Sequence, residues 1–433
     1  MQDDGLAAVL GDHASRHSVP GAAIAILRDG QLREAHWGVA SVANGEPVSA
    51  ETQFAIGSLT KPVTAAVLAK LAAAGHLSFD QPVSTLLQEL RGSRWASRAT
   101  VRDLLANRSH LPLRAGWEFK LNGEGPDALQ RCAALVAGAE SAAPIWSYSN
   151  LGWCLAGCII ERTTGRSWED ATRKLVLEPA EMTGTTFALS QPTEPRAEGH
   201  RIVDGQPSPV APWNPRVYSS SGTSLLSTVV DLTRFATWQF EEPSCRPLRE
   251  PHAEVAIHGW LDAWCLGWAR FDWVGASVLG WDGLLPGQRA VLRILPDERA
   301  AIALLMNSDN GRAMYRSMFA EHLHEWLGVE MPQLHLEPSP GAAGQLDSYA
   351  GTYTWPDRQC RVVAEPDRLL IDVDGRRREA HPTTEGVFVV DPDDPDNPTV
   401  TFGHPDEQGR SQAIHLMLWA LPRTRNHEDQ SPE

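Results

Sequence analysis

The alternation of apolar and polar positions changes character twice along the chain. Residues 4–17 read as an opening helix, and "AAIAIL" (22–27) and "LREAHWGVAS" (32–41) read as two strands joined by the turn "RDGQ". Residues 59–74 are Ala and Leu almost throughout and end at Gly75, which predicts a helix with little polar surface. A mostly helical, loop-rich region follows to about residue 240. Strand patterns return at 264–274, 276–280, 288–296 and 300–307, and 311–328 reads as a helix. Strands at both ends of a helical middle predict an α+β fold: one antiparallel sheet flanked by helices, with an inserted helical subdomain.

"MPQLHLEPSPGAAGQ" (331–345) is rich in Pro, Gly and Ala and reads as a linker. Beyond it, "YAGTYTW", "CRVVAE", "RLLIDVDG", "GVFVVD", "TVTFG" and "AIHLMLWAL" are short segments separated by turns such as "DPDDPDNP". They predict an all-β meander closing into a small barrel. The expected division is therefore a first domain over 1–330, a linker over 331–345, a β domain over 346–425 and a disordered tail over 426–433.

Composition narrows the partners. A formal charge of −16 over 433 residues, without a basic cluster, argues against nucleic acid or an anionic membrane surface. No run of about 18 apolar residues suggests a span. The acidic start "MQDDGLAAVL" lacks the basic-then-apolar pattern of a leader, so a cytoplasmic protein is expected. Six cysteines without regular spacing fit reduced thiols. His322 and His324 lie two apart on a predicted helix and face different ways, which argues against a metal site there. No phosphate loop and no G-x-S-x-G elbow occurs, and no cofactor is expected.

Candidate chemistry centres on "GSLTKP". The chain has four lysines, and one of them, Lys61, follows Ser58 by three residues at the start of the apolar helix. Residues i and i+3 share a helix face, so the two side chains can touch. Burial disfavours an ammonium, making Lys61 a candidate base for an otherwise weak serine nucleophile. The helix start also offers backbone N–H groups to a developing oxyanion. The plainer reading makes Ser58 an N-cap and Lys61 a snorkelling surface residue. "IWSYSNLGW" (145–153) adds Tyr148 and Asn150 on one side of a short turn before an apolar helix.

With S-x-x-K followed by Y-x-N, the chain resembles the serine β-lactamase, DD-peptidase and class C esterase superfamily. "GHLSFDQPVSTLL" (75–87), "TVRDLLANRSHLPL" (100–113, with His110 where relatives usually have Gly) and "SSSGTSLLSTVVDLTRFATW" (219–238) extend the resemblance over roughly residues 5–328. It implies an acylated Ser58, a Lys61 that holds or takes its proton, and a Tyr148 that relays a proton to the leaving group and then activates the acceptor. Asn150 would bond the substrate amide or the lysine. The third motif falls at Trp281-Asp282-Gly283. There Gly283 lets the backbone approach the substrate, and the N–H of Leu284 would join that of Ser58 as an oxyanion donor. A cation usually stands at position 281. An indole there and an acid at Asp282 disfavour substrates with a nearby carboxylate, hence strong β-lactam hydrolysis or carboxypeptidase activity.

The β domain resembles the lipocalin-like appendage of some esterases and D-aminopeptidases of the superfamily, with Arg423 and Arg425 as candidate contributors to the cleft. Several of the sixteen tryptophans (Trp117, Trp146, Trp213, Trp264, Trp281) fall in segments that the superfamily uses for its cleft, which implies an aromatic-walled pocket, and core packing explains each of them equally well. The expected activity is hydrolysis of an ester, or of an amide in D-residue peptides. One alternative is a stand-alone nonribosomal-peptide macrocyclase of the penicillin-binding-protein type, in which Asp282 holds the peptide's amine and a peptidyl carrier protein delivers the thioester. Another is a non-catalytic ligand-binding protein.

Overall fold

The computed structural model describes residues 3–109, 111, 125, 127–139, 145–188, 195–255, 261–332, 336–339, 346–355, 358–390, 392 and 398–424. Helix α1 (Asp4–Arg16) is capped by Asp3, whose carboxylate accepts from Leu6 N–H. Strands β1 (Gly21–Arg28) and β2 (Gln31–Gly38) form the hairpin read from the sequence. Asp29 and Gly30 both take positive φ (54° and 72°), the two-residue turn whose twist suits paired strands.

Six further strands complete one antiparallel sheet: β3 (Ala253–Glu254), β4 (Ala263–Trp264), β5 (Ala269–Trp273), β6 (Ala276–Leu285), β7 (Gln288–Leu295) and β8 (Ala300–Met306). Their order is β2-β1-β8-β7-β6-β5-β4-β3, so the first and last parts of this unit meet where β1 pairs with β8, Ala22 opposite Met306. All seven residues of β8 are buried, as expected of a strand covered on both faces. The segment read as one strand over 264–274 is split. Gly267, at φ 99°, turns the chain where an added Cβ would come within 3.1 Å of Ala65 and 3.2 Å of Trp153.

The inserted region supplies α2 (Thr60–Ala73), α3 (Asn150–Thr164) and α4 (Val229–Glu241), and α5 (Gly311–Leu327) follows the sheet. Helix α2 is buried at eleven of its fourteen positions, in keeping with its all-round apolar sequence. Just before it, Phe54–Ala55 pairs with Leu225–Ser227, which brings the start of α2 beside the small-residue run at 219–224.

The β domain holds eight antiparallel strands in sequential order: β9 (Gly351–Trp355), β10 (Arg358–Ala364), β11 (Leu369–Val373), β12 (Arg376–Thr384), β13 (Val387–Val390), β14 (Thr399–Pro405), β15 (Ser411–Leu416) and β16 (Trp419–Pro422). The first and last edges meet at a Tyr353–Arg423 bridge and a Thr424 N–H bond to Thr352 O (2.8 Å), nearly closing the barrel. Strand β12 has no counterpart among the segments picked out above. Its Arg376-Arg377-Arg378-Glu379 run faces solvent on a wall buried on one side only, so the apolar signal is thin. "AIHLMLWAL" is two strands rather than one, separated by a turn at Met417 (φ 55°).

Arg423 does not reach a cleft. Its guanidinium donates to Ser411 O, Ala350 O (2.7 Å), Ser348 O (2.9 Å) and Tyr353 OH (2.9 Å), which makes it the clasp of the barrel. Arg425 lies outside the described residues, as do His110, Trp117, parts of the 331–345 stretch (333–335 and 340–345) and the tail. Buried apolar side chains form two clusters, one running from Leu6 to Val329 and the other from Leu346 to Leu421.

Replacing Arg423 by Ala strands three carbonyls at the barrel seam and is expected to cost about 2–4 kcal/mol. Urea unfolding of the full chain, followed through the barrel's tryptophans, measures it. A change below about 0.5 kcal/mol, the range of an ordinary surface substitution, would show that closure does not depend on this residue.

Candidate active site

Ser58 sits in a single helical turn (Gly57–Leu59) immediately before α2, so Lys61 is the second residue of the helix proper. The side chain of Lys61 is fully buried. Its Nζ meets three oxygens: Ser58 Oγ (3.0 Å), Asn150 Oδ1 (2.8 Å) and the carbonyl of Ser221 (2.6 Å). The two carbonyl oxygens can only accept, whereas the serine can donate or accept. With the proton on Ser58, the amine donates twice and accepts from the hydroxyl. With the proton on Lys61, the ammonium donates three times. The proton can therefore pass between Ser58 and Lys61 without loss of any of these bonds.

The Tyr148 hydroxyl donates to Ser58 Oγ from the other side (2.7 Å), and Lys61 Nζ lies 4.7 Å from the tyrosine ring centre. An alkoxide at Ser58 would thus have two donors ready for it. Ser58 itself is part-exposed, as a nucleophile must be. Asn150 opens α3, whose cap is Ser149 Oγ accepting from Gly152 N–H (3.2 Å). Of the two partners open to Asn150, the lysine is the one it bonds in this structure.

Strand β6 carries the third motif past this cluster. Trp281 donates its indole N–H to the Tyr148 hydroxyl (3.3 Å), and the two rings lie 5.3 Å apart. Position 281 thus supplies a neutral donor to the phenol. Gly283 is required sterically, because an added Cβ would fall 1.8 Å from Ile56 O. A Cβ on Gly57 (φ 53°) would fall 2.5 Å from the nitrogen of Leu284. The end of β6 therefore lies backbone against backbone with the turn holding Ser58, an approach that only glycines permit.

Asp282 is not brought into the cluster. Strand alternation turns it from Trp281's side to the other face of the sheet. There its carboxylate takes Arg293 Nη2 (2.7 Å) and the Tyr315 hydroxyl (3.1 Å). Burial and the adjacent Asp282 push the Tyr315 phenol up to about 12, so it stays a donor. Arg293 also bonds the carbonyl of Trp281 (3.1 Å), so the pair braces the strand.

Trp146, Trp264 and Trp281 gather around Tyr148, with Trp264 and Trp281 edge to face at 4.8 Å. All three are buried, and they form packing behind the tyrosine rather than an open aromatic wall. Trp213 is half exposed and packs on Tyr218.

Sequence reasoning missed three supports. The Ser221 carbonyl lies in the small-residue run already noticed, but a main-chain acceptor leaves no trace in residue type. Asn107 bonds the tyrosine segment on one flank: its carbonyl accepts from Ser147 N–H (2.9 Å), and its Oδ1 accepts from Ser149 N–H (3.3 Å) and Trp153 Nε1 (3.1 Å). On the other flank is the β15–β16 hairpin of the barrel. Tyr148 N–H donates to Leu418 O (2.9 Å), Ala420 N–H to Ser147 Oγ (2.7 Å) and His415 Nε2 to Trp146 O (3.0 Å).

Comparison with known proteins accords with this geometry. A family model described as Beta-lactamase matches residues 6–324. The chain belongs to the Beta-lactamase family. It is 31% identical over 363 residues to penicillin-binding protein 4 of Amycolatopsis lactamdurans, covering 78% of this chain and 94% of that one. A D-aminopeptidase of Cereibacter sphaeroides is 25% identical, over 88% of this chain and 75% of its own. Among solved structures, SurE superposes with a TM-score of 0.82 at 25% identity, covering 97% of this chain and 99% of that chain, so the likeness includes the barrel. As a Beta-lactamase family protein, the chain is a serine hydrolase or acyltransferase. Among the described residues, no helix is long and apolar enough to cross a membrane.

Two outcomes follow from the packing. Gly283→Ala should cut kcat/KM by more than 100-fold while leaving most of the fold intact, since the clash falls on the Ser58 turn; acylation kinetics and circular dichroism together test it. His415 is buried with only one nitrogen bonded, and burial pushes its pKa down to about 4 from an ordinary 6.5. Below pH 6.5 the unfolded chain takes up a proton that the folded chain refuses. The contribution of His415 to stability should therefore fall by roughly 3 kcal/mol as pH drops from 6.5 to 4 and then level off. Urea unfolding at stepped pH should show this fall reduced in His415→Gln.

Proposed function

We propose that the protein hydrolyses an ester or amide bond at a D-configured residue through an acyl-enzyme on Ser58. The observation that carries this reading is Ser58 Oγ held between Lys61 Nζ at 3.0 Å and the Tyr148 hydroxyl at 2.7 Å. Lys61 takes the serine proton as Oγ bonds to the carbonyl carbon. The N–H groups of Ser58 and Leu284 receive the oxyanion. Tyr148 passes its proton to the departing alcohol or amine and is reprotonated from Lys61. Water then attacks the acyl-serine, giving its proton back through Tyr148, and the acid departs as Ser58 recovers its hydrogen.

The D-configuration is supported by similarity to D-aminopeptidases and to SurE, whose complex with D-Leu has a TM-score of 0.80 to this chain. Trp281, a neutral donor in place of a cation, supports substrates without a carboxylate beside the scissile bond. An amine acceptor would turn the same acyl-Ser58 toward macrocyclisation, with a peptidyl carrier protein as donor. Asp282, the residue expected to hold that amine, has both oxygens bonded within the fold, which favours water.

A fluorophosphonate probe should add one adduct mass to the wild type and none to Ser58→Ala. Lys61→Ala should lower kcat/KM by roughly 10⁴-fold or more, and Tyr148→Phe by roughly 10²–10⁴-fold. In a panel of D- and L-aminoacyl p-nitroanilides, p-nitrophenyl esters, nitrocefin and a peptidyl thioester, the D-aminoacyl compounds should turn over fastest. Equal turnover of L-compounds, or nitrocefin as the best substrate, would reject the substrate class. Absence of an adduct on folded wild type would reject the mechanism.

A further inference from the structure

The facing sides of α1 and α5 carry a cluster that the active site does not use. His13 on α1 is 1% exposed. Its Nδ1 lies 3.0 Å from Ser317 Oγ on α5, and His17 Nε2 lies 2.8 Å from the same oxygen. Ser317 gives its single hydroxyl proton to Met314 O (3.1 Å). With the proton so placed, the serine accepts from both imidazoles, and the tautomer of His13 that fits carries its hydrogen on Nδ1.

That leaves His13 Nε2 as a lone pair, buried and without a hydrogen-bond partner. It points at Glu321 Oε2, 3.5 Å away. A lone pair facing a carboxylate oxygen is repulsive unless a cation lies between them. His322 brings a third group to the same place, its Nε2 4.0 Å from Glu321 Oε2, and one ligand atom from each of the three residues lies within 4.8 Å of the others. Ligands of a tetrahedral zinc stand ~3.3 Å apart for ~2.0 Å bonds, so small side-chain adjustments suffice. The other oxygen of Glu321 is fixed by Arg16 Nη1 (2.7 Å), and Arg16 is fixed in turn by Asp12.

We propose that His13, Glu321 and His322 bind one zinc-class divalent ion, with solvent completing its shell. Two imidazoles and one carboxylate are a donor set suited to that class. Ser317 and Arg16 are the outer partners that orient the ligands. The ion clips the opening helix to the closing helix of the sheet domain, some three hundred residues along the chain. The sequence pair His322–His324 does not form the site. His324 faces Glu330 instead, at 3.7 Å, and the partner of His322 comes from the far end of the domain.

The test uses the full chain stripped with a chelator and titrated with Zn²⁺ by calorimetry and with Co²⁺ by visible absorption. One equivalent should bind at micromolar metal, with the bands of a four-coordinate Co²⁺ centre and a rise in Tm. Glu321→Gln and His322→Ala, both on the accessible side of the cluster, should each weaken binding at least ten-fold and abolish the rise in Tm. Fluorophosphonate labelling of Ser58 should not change. No saturable binding at micromolar metal overturns the proposal. So does binding unaltered in both variants, which would place the ion elsewhere, for example on the six cysteines. If His322→Ala does not fold, Glu321→Gln alone decides.

Discussion

An amine without contact to solvent must have its polar valences met inside the protein, and much of the site's architecture answers that requirement at Lys61. Asn150 Oδ1 comes from the start of α3, the Ser221 carbonyl from the small-residue run, and the Ser58 hydroxyl from the turn before α2. Three segments distant in sequence thus converge on one nitrogen. Because two of its partners accept only, the third is left as the place where a proton can come and go. The chemistry of Ser58 is a by-product of how the lysine is buried.

The glycines are the steric half of the same constraint. Gly57 and Gly283 let the end of β6 run against the Ser58 turn, and Gly222 lies against the same turn, where an added Cβ would sit 3.1 Å from the carbonyl carbon of Gly57. The Asp282–Arg293–Tyr315 braces behind the strand hold β6 in that position. Trp281 then reaches Tyr148 from in front.

What the sequence made legible was local. The α2 helix, the β1–β2 hairpin and the Ser58–Lys61 pair each follow from spacing within a few residues. So does the C-terminal all-β barrel, because short alternating segments are local too. What escaped depended on long-range geometry or on main-chain atoms. The Ser221 carbonyl, the seam role of Arg423 and the outward turn of Asp282 belong to that class. So does the meeting of His13 with His322, which no pattern within either helix can announce. Strand β12 escaped for a different reason: a barrel wall open to water on one side tolerates an arginine run that reads as a loop.

The barrel docks on the tyrosine segment largely through main-chain atoms. Two of its three hydrogen bonds use barrel backbone atoms, Leu418 O and Ala420 N–H, while the third comes from the His415 ring, which also stacks on Trp146. Met417 sits at positive φ (55°) and Leu418 packs against the core of the sheet domain, so backbone geometry and packing hold the hairpin tip along with these bonds. The appendage is thereby a splint on the strip of main chain that carries the phenol, and loosening the barrel would loosen that strip with it.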